Sequence, residues 1–276
     1  PLPATRAALA AAHPNATPRR VGLVHGLMTT ESHWRMPDGS DYGSLLERDR
    51  GWTAAYVRYN TGVAIADNGA SLSALLQKLI EAYPIAVEEV LLIGFSMGGL
   101  VIRSACHAAE AQHHAWRSRV RRIFYLGTPH LGAPGERFGR LASEVLRAIP
   151  SAYTRLISDI ANLRSDGIQD LAHAALRPED RSLARSPWDL RDARHPVPLL
   201  PDIEHHLIAG SLFVDPRLAF LFGDSVVPVA SATYKGVALE LLPPERVHVL
   251  PGLSHVALAH SPAVYEQIKA TLEQPT

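Results

Sequence analysis

The chain contains a single cysteine, Cys106, among its 276 residues. One cysteine excludes a disulfide framework within the chain. Cys106 lies beside alanine and other small residues in a helical pattern, which predicts a buried packing thiol and not a nucleophile. Any catalysis in this chain should therefore depend on other side chains.

Neither sign of charge is in excess, because Lys and Arg together number 27 and Asp and Glu together number 27. The lack of a basic surplus argues against a nucleic-acid partner. No apolar run reaches about 18 residues, so no transmembrane segment is predicted. A soluble protein is expected, cytoplasmic or secreted, and the start at Pro1 is compatible with removal of a leader peptide.

Metal and cofactor signatures are also missing from the sequence. The 14 histidines include the pairs His113-His114 and His205-His206. Neither pair has the Cys, or the second His with a Glu at helical spacing, that zinc sites usually contain. No glycine-rich phosphate loop or dinucleotide fingerprint occurs, so no cofactor and no metal site is expected.

Short apolar runs alternate with helical patterns along most of the chain, and this alternation predicts an α/β fold with a mostly parallel sheet flanked by helices. The final helix is predicted to begin at Ser261-Pro262, and an earlier one to be capped by Asp67 or Asn68. The predicted strands are Arg20 to His25, Trp52 to Tyr59, the run from Leu91, Val120 to Leu126, His206 to Phe213 and Arg246 to Leu250.

The alternation stops at about residue 131 and resumes at about residue 201. Two amphipathic stripes, at 138–149 and 153–163, are followed by a proline-rich segment. We interpret 131–201 as a helical cap or lid inserted into a single domain that spans residues 1–276. An ordinary sheet-flanking helix with a long loop is the alternative.

The run from Leu91 ends in the motif Gly94-Phe95-Ser96-Met97-Gly98, and a helical pattern follows at once. A buried strand that leads directly into a helix is the setting of the nucleophile elbow, a tight turn that exposes a reactive serine. The alternative is a glycine-rich turn with an incidental serine.

Five motifs follow one another along the chain: Val24-His25-Gly26-Leu27, Gly94 to Gly99, Gly127-Thr128-Pro129-His130, Gly223-Asp224-Ser225-Val226-Val227-Pro228 and Ser254-His255. In this order they resemble the motifs of the α/β-hydrolases, in particular the lipase-like esterases grouped with the GPI-inositol deacylase (PGAP1-like) family and the bacterial lipases. The resemblance covers about residues 20–272. Ser225 stands where these families often have Gly, and Ala257 stands where bacterial lipases often have a calcium-binding Asp.

A serine hydroxyl needs a neighbouring base, histidine suits this role near neutral pH, and a buried carboxylate then orients the imidazole. In the fold that the resemblance implies, the chain order is serine, acid, histidine, each after a strand. Ser96, Asp224 and His255 satisfy this order.

Other residues compete for the roles of base and acid. His248 falls within a predicted strand, His260 precedes the final helix, and His130 comes before the acid in sequence and so breaks the expected order. Asp215 follows the same strand as Asp224, but Asp224 matches the family motif.

Backbone N–H groups should stabilise the oxyanion of an acyl-transfer reaction. The resemblance assigns these donors to Leu27, in the loop after the first strand, and to Met97, directly after the nucleophile.

The sequence therefore predicts a serine esterase or lipase that acts on small-molecule or lipid esters, with transient contact between the cap and a lipid surface. An acyltransferase or amidase with the same triad is one alternative. A hydrolase-fold binding protein without activity is another, although such proteins usually lack one of the three catalytic residues.

Overall fold

The computed structural model describes residues 3–132, 165–182, 195, 197–212, 224, 227, 229–233 and 242–274. Within these residues the chain forms one six-stranded sheet with the strand order β2-β1-β3-β4-β5-β6. All neighbouring strands are parallel. The strands are β1 Arg19–Val24, β2 Thr53–Val57, β3 Glu89–Phe95, β4 Val120–Leu126, β5 Glu204–Ser211 and β6 Val247–Pro251.

Each strand lies where an apolar run predicts one, so the expected α/β architecture with a parallel sheet is confirmed. Strand boundaries differ from the predicted ones by one or two residues in either direction, and β5, for example, begins at Glu204 instead of His206. The predicted run Trp52 to Tyr59, for example, forms a strand only over Thr53–Val57.

Helices connect the strands and cover both faces of the sheet. None of the described helices is long and apolar enough to cross a membrane. The helices are α1 Arg6–Ala12, α2 Tyr42–Arg50, α3 Ile65–Ala82, α4 Met97–Gln112, α5 Asp166–His173, α6 Val229–Ala232 and α7 Pro262–Glu273, with 3-10 helices at Glu31–Trp34, Ala115–Arg119, Pro178–Ser182, Pro244–Arg246 and Val256–Ala259.

Alternate residues of each strand enter two separate cores, because successive side chains of a strand point to opposite faces. On β3, Leu92 packs in the same core as α3, α4 and α5. Its neighbours Leu91 and Ile93 pack in the other core, with α2 and α7. Burial on both faces explains why the strands appear in the sequence as continuous apolar runs.

Helix α3 begins earlier than its sequence suggests. Neither Asp67 nor Asn68 is its N-cap, since the helix starts at Ile65. The backbone N–H of Ile65 instead donates to the carboxylate of Asp170, 2.8 Å away on α5. Asn68 is buried and donates to the carbonyl oxygens of Asn60 and Val63, each at 3.0 Å. A residue distant in sequence therefore caps this helix.

Helix α2 lies before β2, in a part of the chain where no element is predicted from the sequence. It begins with a capping box. The Asp41 carboxylate accepts a hydrogen bond from the Ser44 N–H, and the Ser44 hydroxyl oxygen accepts one from the Asp41 N–H. Trp34 is in the 3-10 helix Glu31–Trp34 and is buried.

Only part of the predicted insertion at 131–201 belongs to the described residues. Both amphipathic stripes, at 138–149 and 153–163, lie outside them. The described part contains α5, whose buried Ile168 and Leu171 pack in the core that also includes α3 and α4. The cap itself stays a prediction.

His205, on β5, is buried between polar partners. Its Nδ1 lies 3.1 Å from the Tyr125 hydroxyl and its Nε2 lies 3.0 Å from the Leu200 carbonyl oxygen. A carbonyl only accepts, so Nε2 carries the proton and Nδ1 accepts from Tyr125. Burial lowers the pKa of His205 from 6.5 to about 4.

This lowered pKa predicts that acid destabilises the fold. Between pH 6.5 and pH 4 the unfolded chain binds a proton at His205 that the folded protein does not, so stability falls as the pH decreases. In His205→Gln, whose amide still offers a donor and an acceptor, the loss of unfolding free energy between pH 7.5 and pH 5.5 should be about 1 kcal/mol smaller than in the wild type. Urea unfolding at the two pH values measures the difference, and equal losses in both proteins would contradict the prediction.

Candidate active site

Ser96 forms the turn between β3, which ends at Phe95, and α4, which begins at Met97. Its backbone has φ 51° and ψ −121°, a conformation that non-glycine residues rarely adopt. The Ser96 N–H donates to the Leu126 carbonyl oxygen of the neighbouring strand at 2.8 Å. The sharp strand-to-helix turn that the sequence motif predicts is therefore present, and the role of Ser96 as a nucleophile stays a prediction.

Close contact between backbones explains the glycines of this turn. A Cβ atom at Gly98 would lie 2.2 Å from the carbonyl oxygen of Val24, at the end of β1. A Cβ atom at Gly94 would lie 2.6 Å from the Cα of Gly99. Since real Cβ atoms do not approach so closely, the glycines allow the start of α4 to pack directly on the strand ends.

Asp224 and His255 form a buried pair beside this turn. Nδ1 of His255 lies 2.7 Å from Oδ2 of Asp224, and both side chains are buried. The second oxygen, Oδ1, accepts from the Val227 N–H at 2.7 Å. A carboxylate that accepts from Nδ1–H leaves Nε2 as the basic nitrogen of the imidazole.

The His255 ring packs against the residue before Ser96, with a centroid distance of 5.1 Å to the Phe95 ring. Ser96 Oγ and His255 Nε2 are both buried, and neither has a hydrogen-bond partner among the described residues. The structure thus brings a serine, a histidine and an aspartate to the carboxyl-terminal ends of the parallel strands, although these residues are far apart in sequence.

The segment after His255 is held by Tyr42 of α2. The buried Tyr42 hydroxyl donates to the carbonyl oxygens of Leu258 and Ser261, at 2.8 Å and 3.2 Å. It also accepts from the Ser261 N–H at 2.9 Å. The two carbonyl oxygens share the single proton of this hydroxyl, and the Ser261 carbonyl also accepts from the Tyr265 N–H at 3.1 Å. The hydroxyl links α2 to the segment that follows His255.

The loop after β1 lies against the turn at Ser96. A Cβ atom at Gly26 would be 3.1 Å from the Cβ of Ser96. Leu27, the next residue, is buried, and Met97 is the first residue of α4. The N–H of a first helical residue has no acceptor within its own helix. Leu27 is therefore adjacent in sequence to a residue that contacts Ser96, and Met97 follows Ser96 directly, while their role as oxyanion donors stays a prediction.

His25 fixes the orientation of the peptide that contains the Leu27 N–H. Burial lowers the pKa of His25, so its ring is neutral near pH 7. Its Nδ1 lies 2.9 Å from the Gly26 carbonyl oxygen and must donate to it, since that oxygen only accepts. The Gly26 carbonyl and the Leu27 N–H belong to one planar trans peptide and point in opposite directions.

The competing histidines occupy other surroundings. His130 is buried, lies 3.2 Å from the Arg103 guanidinium and has a pKa well below the ordinary value, because burial and the arginine charge disfavour protonation. His248 is on β6, where it faces Gln267. His260 contacts the loop after β1, since its Nδ1 lies 3.2 Å from the carbonyl oxygen of His33.

Asp215, the alternative acid, lies outside the described residues.

His33 is near the site, although the sequence does not single it out. Its ring lies 5.1 Å from the Phe95 ring and 5.4 Å from the His260 ring. Burial, together with the neighbouring histidines, lowers the pKa of His33 to about 4.

In the part of the chain that the structure describes, no three His, Cys, Asp or Glu residues are placed to hold a metal ion.

Comparisons with known proteins concern the fold of the chain. Residues 54–180 match the model of the PGAP1-like alpha/beta domain family. An alpha/beta hydrolase fold protein from Chitinophaga pinensis is 15% identical, with a TM-score of 0.53 over 94% of this chain and 91% of that one. An esterase from Exiguobacterium antarcticum is also 15% identical, with a TM-score of 0.51 over 93% of this chain and 92% of that one. No curated protein matches the sequence significantly.

The chain has the α/β-hydrolase fold, as its sequence motifs predict. Within that fold, the segment 54–180, which contains the turn at Ser96, is similar to the PGAP1-like domain.

The contacts of Tyr42 predict a loss of stability in Tyr42→Phe. Removal of the hydroxyl leaves buried backbone groups of Leu258 and Ser261 unsatisfied, which should lower the free energy of unfolding by about 1–3 kcal/mol. Tyr56→Phe is a matched control, because the Tyr56 side chain is 38% exposed and its hydroxyl donates to the partly exposed carboxylate of Asp41, so that removal of this hydroxyl should cost about 0.5 kcal/mol or less. Urea unfolding compares the two variants, and equal losses would contradict the prediction.

Proposed function

We propose that this protein is a serine carboxylic-ester hydrolase, an esterase or lipase with the triad Ser96, His255 and Asp224. The observation that supports it most strongly is the buried His255–Asp224 hydrogen bond of 2.7 Å beside a serine on a strained strand-to-helix turn. Such strain is costly, and it occurs mainly where a functional geometry requires it.

In this proposal the acyl carbonyl is attacked by Oγ of Ser96 while Nε2 of His255 accepts the hydroxyl proton. Asp224 fixes the imidazole in the tautomer with a proton on Nδ1 and stabilises the imidazolium that forms. The imidazolium then protonates the leaving alcohol, and the acyl group remains on Ser96. Water, activated by His255, hydrolyses the acyl-enzyme and restores the serine.

The backbone N–H groups of Leu27 and Met97 are the proposed oxyanion hole. Gly26 is in contact with Ser96, and the Met97 N–H is at the N-terminus of α4, where the helix dipole favours negative charge. Donors of this kind stabilise the tetrahedral intermediate by about 3 kcal/mol each.

The substrates that we propose are hydrophobic esters. Leu27, Met97 and Ile168 belong to one buried apolar cluster beside Ser96. Val63 and Leu212, in the segments that follow β2 and β5, are exposed hydrophobic side chains that are accessible to a substrate or a lipid.

The first test of this function is Ser96→Ala. Without the nucleophile, kcat for a short p-nitrophenyl ester should fall by about 10³-fold or more. Ser73→Ala is a suitable control, because Ser73 is also buried but bonds to His114 and Trp116 in a different part of the fold. Full hydrolysis by Ser96→Ala would exclude the proposed triad.

The role of Asp224 gives a second prediction. In Asp224→Asn an amide replaces the carboxylate, so the tautomer with a basic Nε2 is no longer favoured and kcat should fall by about 10³–10⁴-fold. KM should change little, since Asp224 is buried behind His255 and does not face the substrate. Steady-state ester hydrolysis measures both parameters, and an unchanged kcat would assign the acid to another residue.

A further inference from the structure

The loop between β2 and α3 holds the segment that follows β1. The Tyr59 hydroxyl donates to the carbonyl oxygen of His25 at 2.8 Å, and the two rings stack with a centroid distance of 4.5 Å. Two residues later, the hydroxyl oxygen of Thr61 accepts a hydrogen bond from the Met28 N–H at 3.2 Å. Tyr59 and Thr61 thus fix both ends of a short segment that contains Leu27.

Met28 has an unfavourable backbone conformation. Its φ is 56°, in the left-handed region that few non-glycine residues occupy. A residue is kept in this region only by the structure around it. The bond from the Met28 N–H to Thr61 opposes relaxation toward negative φ, a change that would rotate the Leu27–Met28 peptide beside the Leu27 N–H.

The β2–α3 loop is itself firmly attached. The side chain of Asn68 donates to the carbonyl oxygens of Asn60 and Val63, and the Gly167 N–H of α5 donates to the Gly62 carbonyl oxygen at 3.2 Å. Asp170, also on α5, accepts from Ile65 directly after the loop. Thr61 therefore lies on a support that is bonded from two helices.

We propose that Thr61 is a positioning residue for the oxyanion hole, which keeps Met28 in its left-handed conformation and thereby directs the Leu27 N–H toward Ser96. This inference rests on the proposed esterase function. Thr61 acts through Met28, so its hydroxyl needs no contact with the substrate.

The test compares Thr61→Val, which keeps the side-chain shape without the hydroxyl, with Thr61→Ser, which keeps the hydroxyl. In the full-length protein, Thr61→Val should lower kcat for a p-nitrophenyl ester by about tenfold or more at unchanged KM, because only the transition state forms the full oxyanion contact. Thr61→Ser should stay within about twofold of the wild type, since it restores the acceptor for Met28.

An inhibitor separates positioning from a general structural effect. A trifluoromethyl ketone forms a tetrahedral adduct with a serine and places an oxyanion in the hole. Its inhibition constant should rise in Thr61→Val by the same factor as kcat falls, as expected for a transition-state analogue.

Thr53→Val is the matched control. Thr53 also accepts a hydrogen bond from a backbone N–H, that of Thr17 at 3.0 Å. Thr53 is the first residue of β2, however, and lies at the amino-terminal ends of the strands, opposite to the end where Ser96 lies. This variant should keep both kcat and the affinity for the inhibitor.

Wild-type activity in both Thr61→Val and Thr61→Ser would overturn the positioning role while the esterase function stands. An inactive wild-type protein would instead overturn the function, and the inference with it. If Thr61→Val does not fold, the kcat values of Met28→Asn and Met28→Val test the proposal instead. Asn tolerates the left-handed region and Val does not. Lower kcat in Met28→Val alone supports the proposal, and equal kcat values in the two variants contradict it.

Discussion

The site depends on the close contact between the start of α4 and the end of β1. Gly98 of α4 comes so near the Val24 carbonyl oxygen that no side chain fits between them. The sharp turn at Ser96 directly precedes this contact, and Gly26 lies against the serine. The proposed nucleophile and the loop that contains the proposed donor Leu27 therefore meet where these two backbones pack.

The parallel sheet then gathers residues that are distant in sequence. Ser96 follows β3, Asp224 lies between β5 and β6, and His255 follows β6. Since parallel strands all end at one edge, the loops that follow them meet there, and open α/β sheets bind their ligands at this edge. The His255–Asp224 bond is buried, so the pair is screened from water and its orientation is fixed.

Features with a local cause were predictable from the sequence, and features with a distant cause were not. The apolar runs predicted every strand of the sheet, and the glycine spacing predicted the turn at Ser96. The start of α3 was missed, because its cap is Asp170, 105 residues away from Ile65. Thr61 had no recognisable motif either, since a single hydroxyl that accepts from Met28 leaves no pattern in the sequence. The roles of Ser96, Asp224 and His255 stay predictions that the geometry supports.

The most direct measurement of the central claim is covalent labelling with a fluorophosphonate, which reacts with serines that a neighbouring base activates. We expect a single adduct on the folded protein, located at Ser96 by peptide mass spectrometry and absent after unfolding in urea. A folded protein that is not labelled, or an adduct at another serine, would contradict the assignment of Ser96 as the nucleophile.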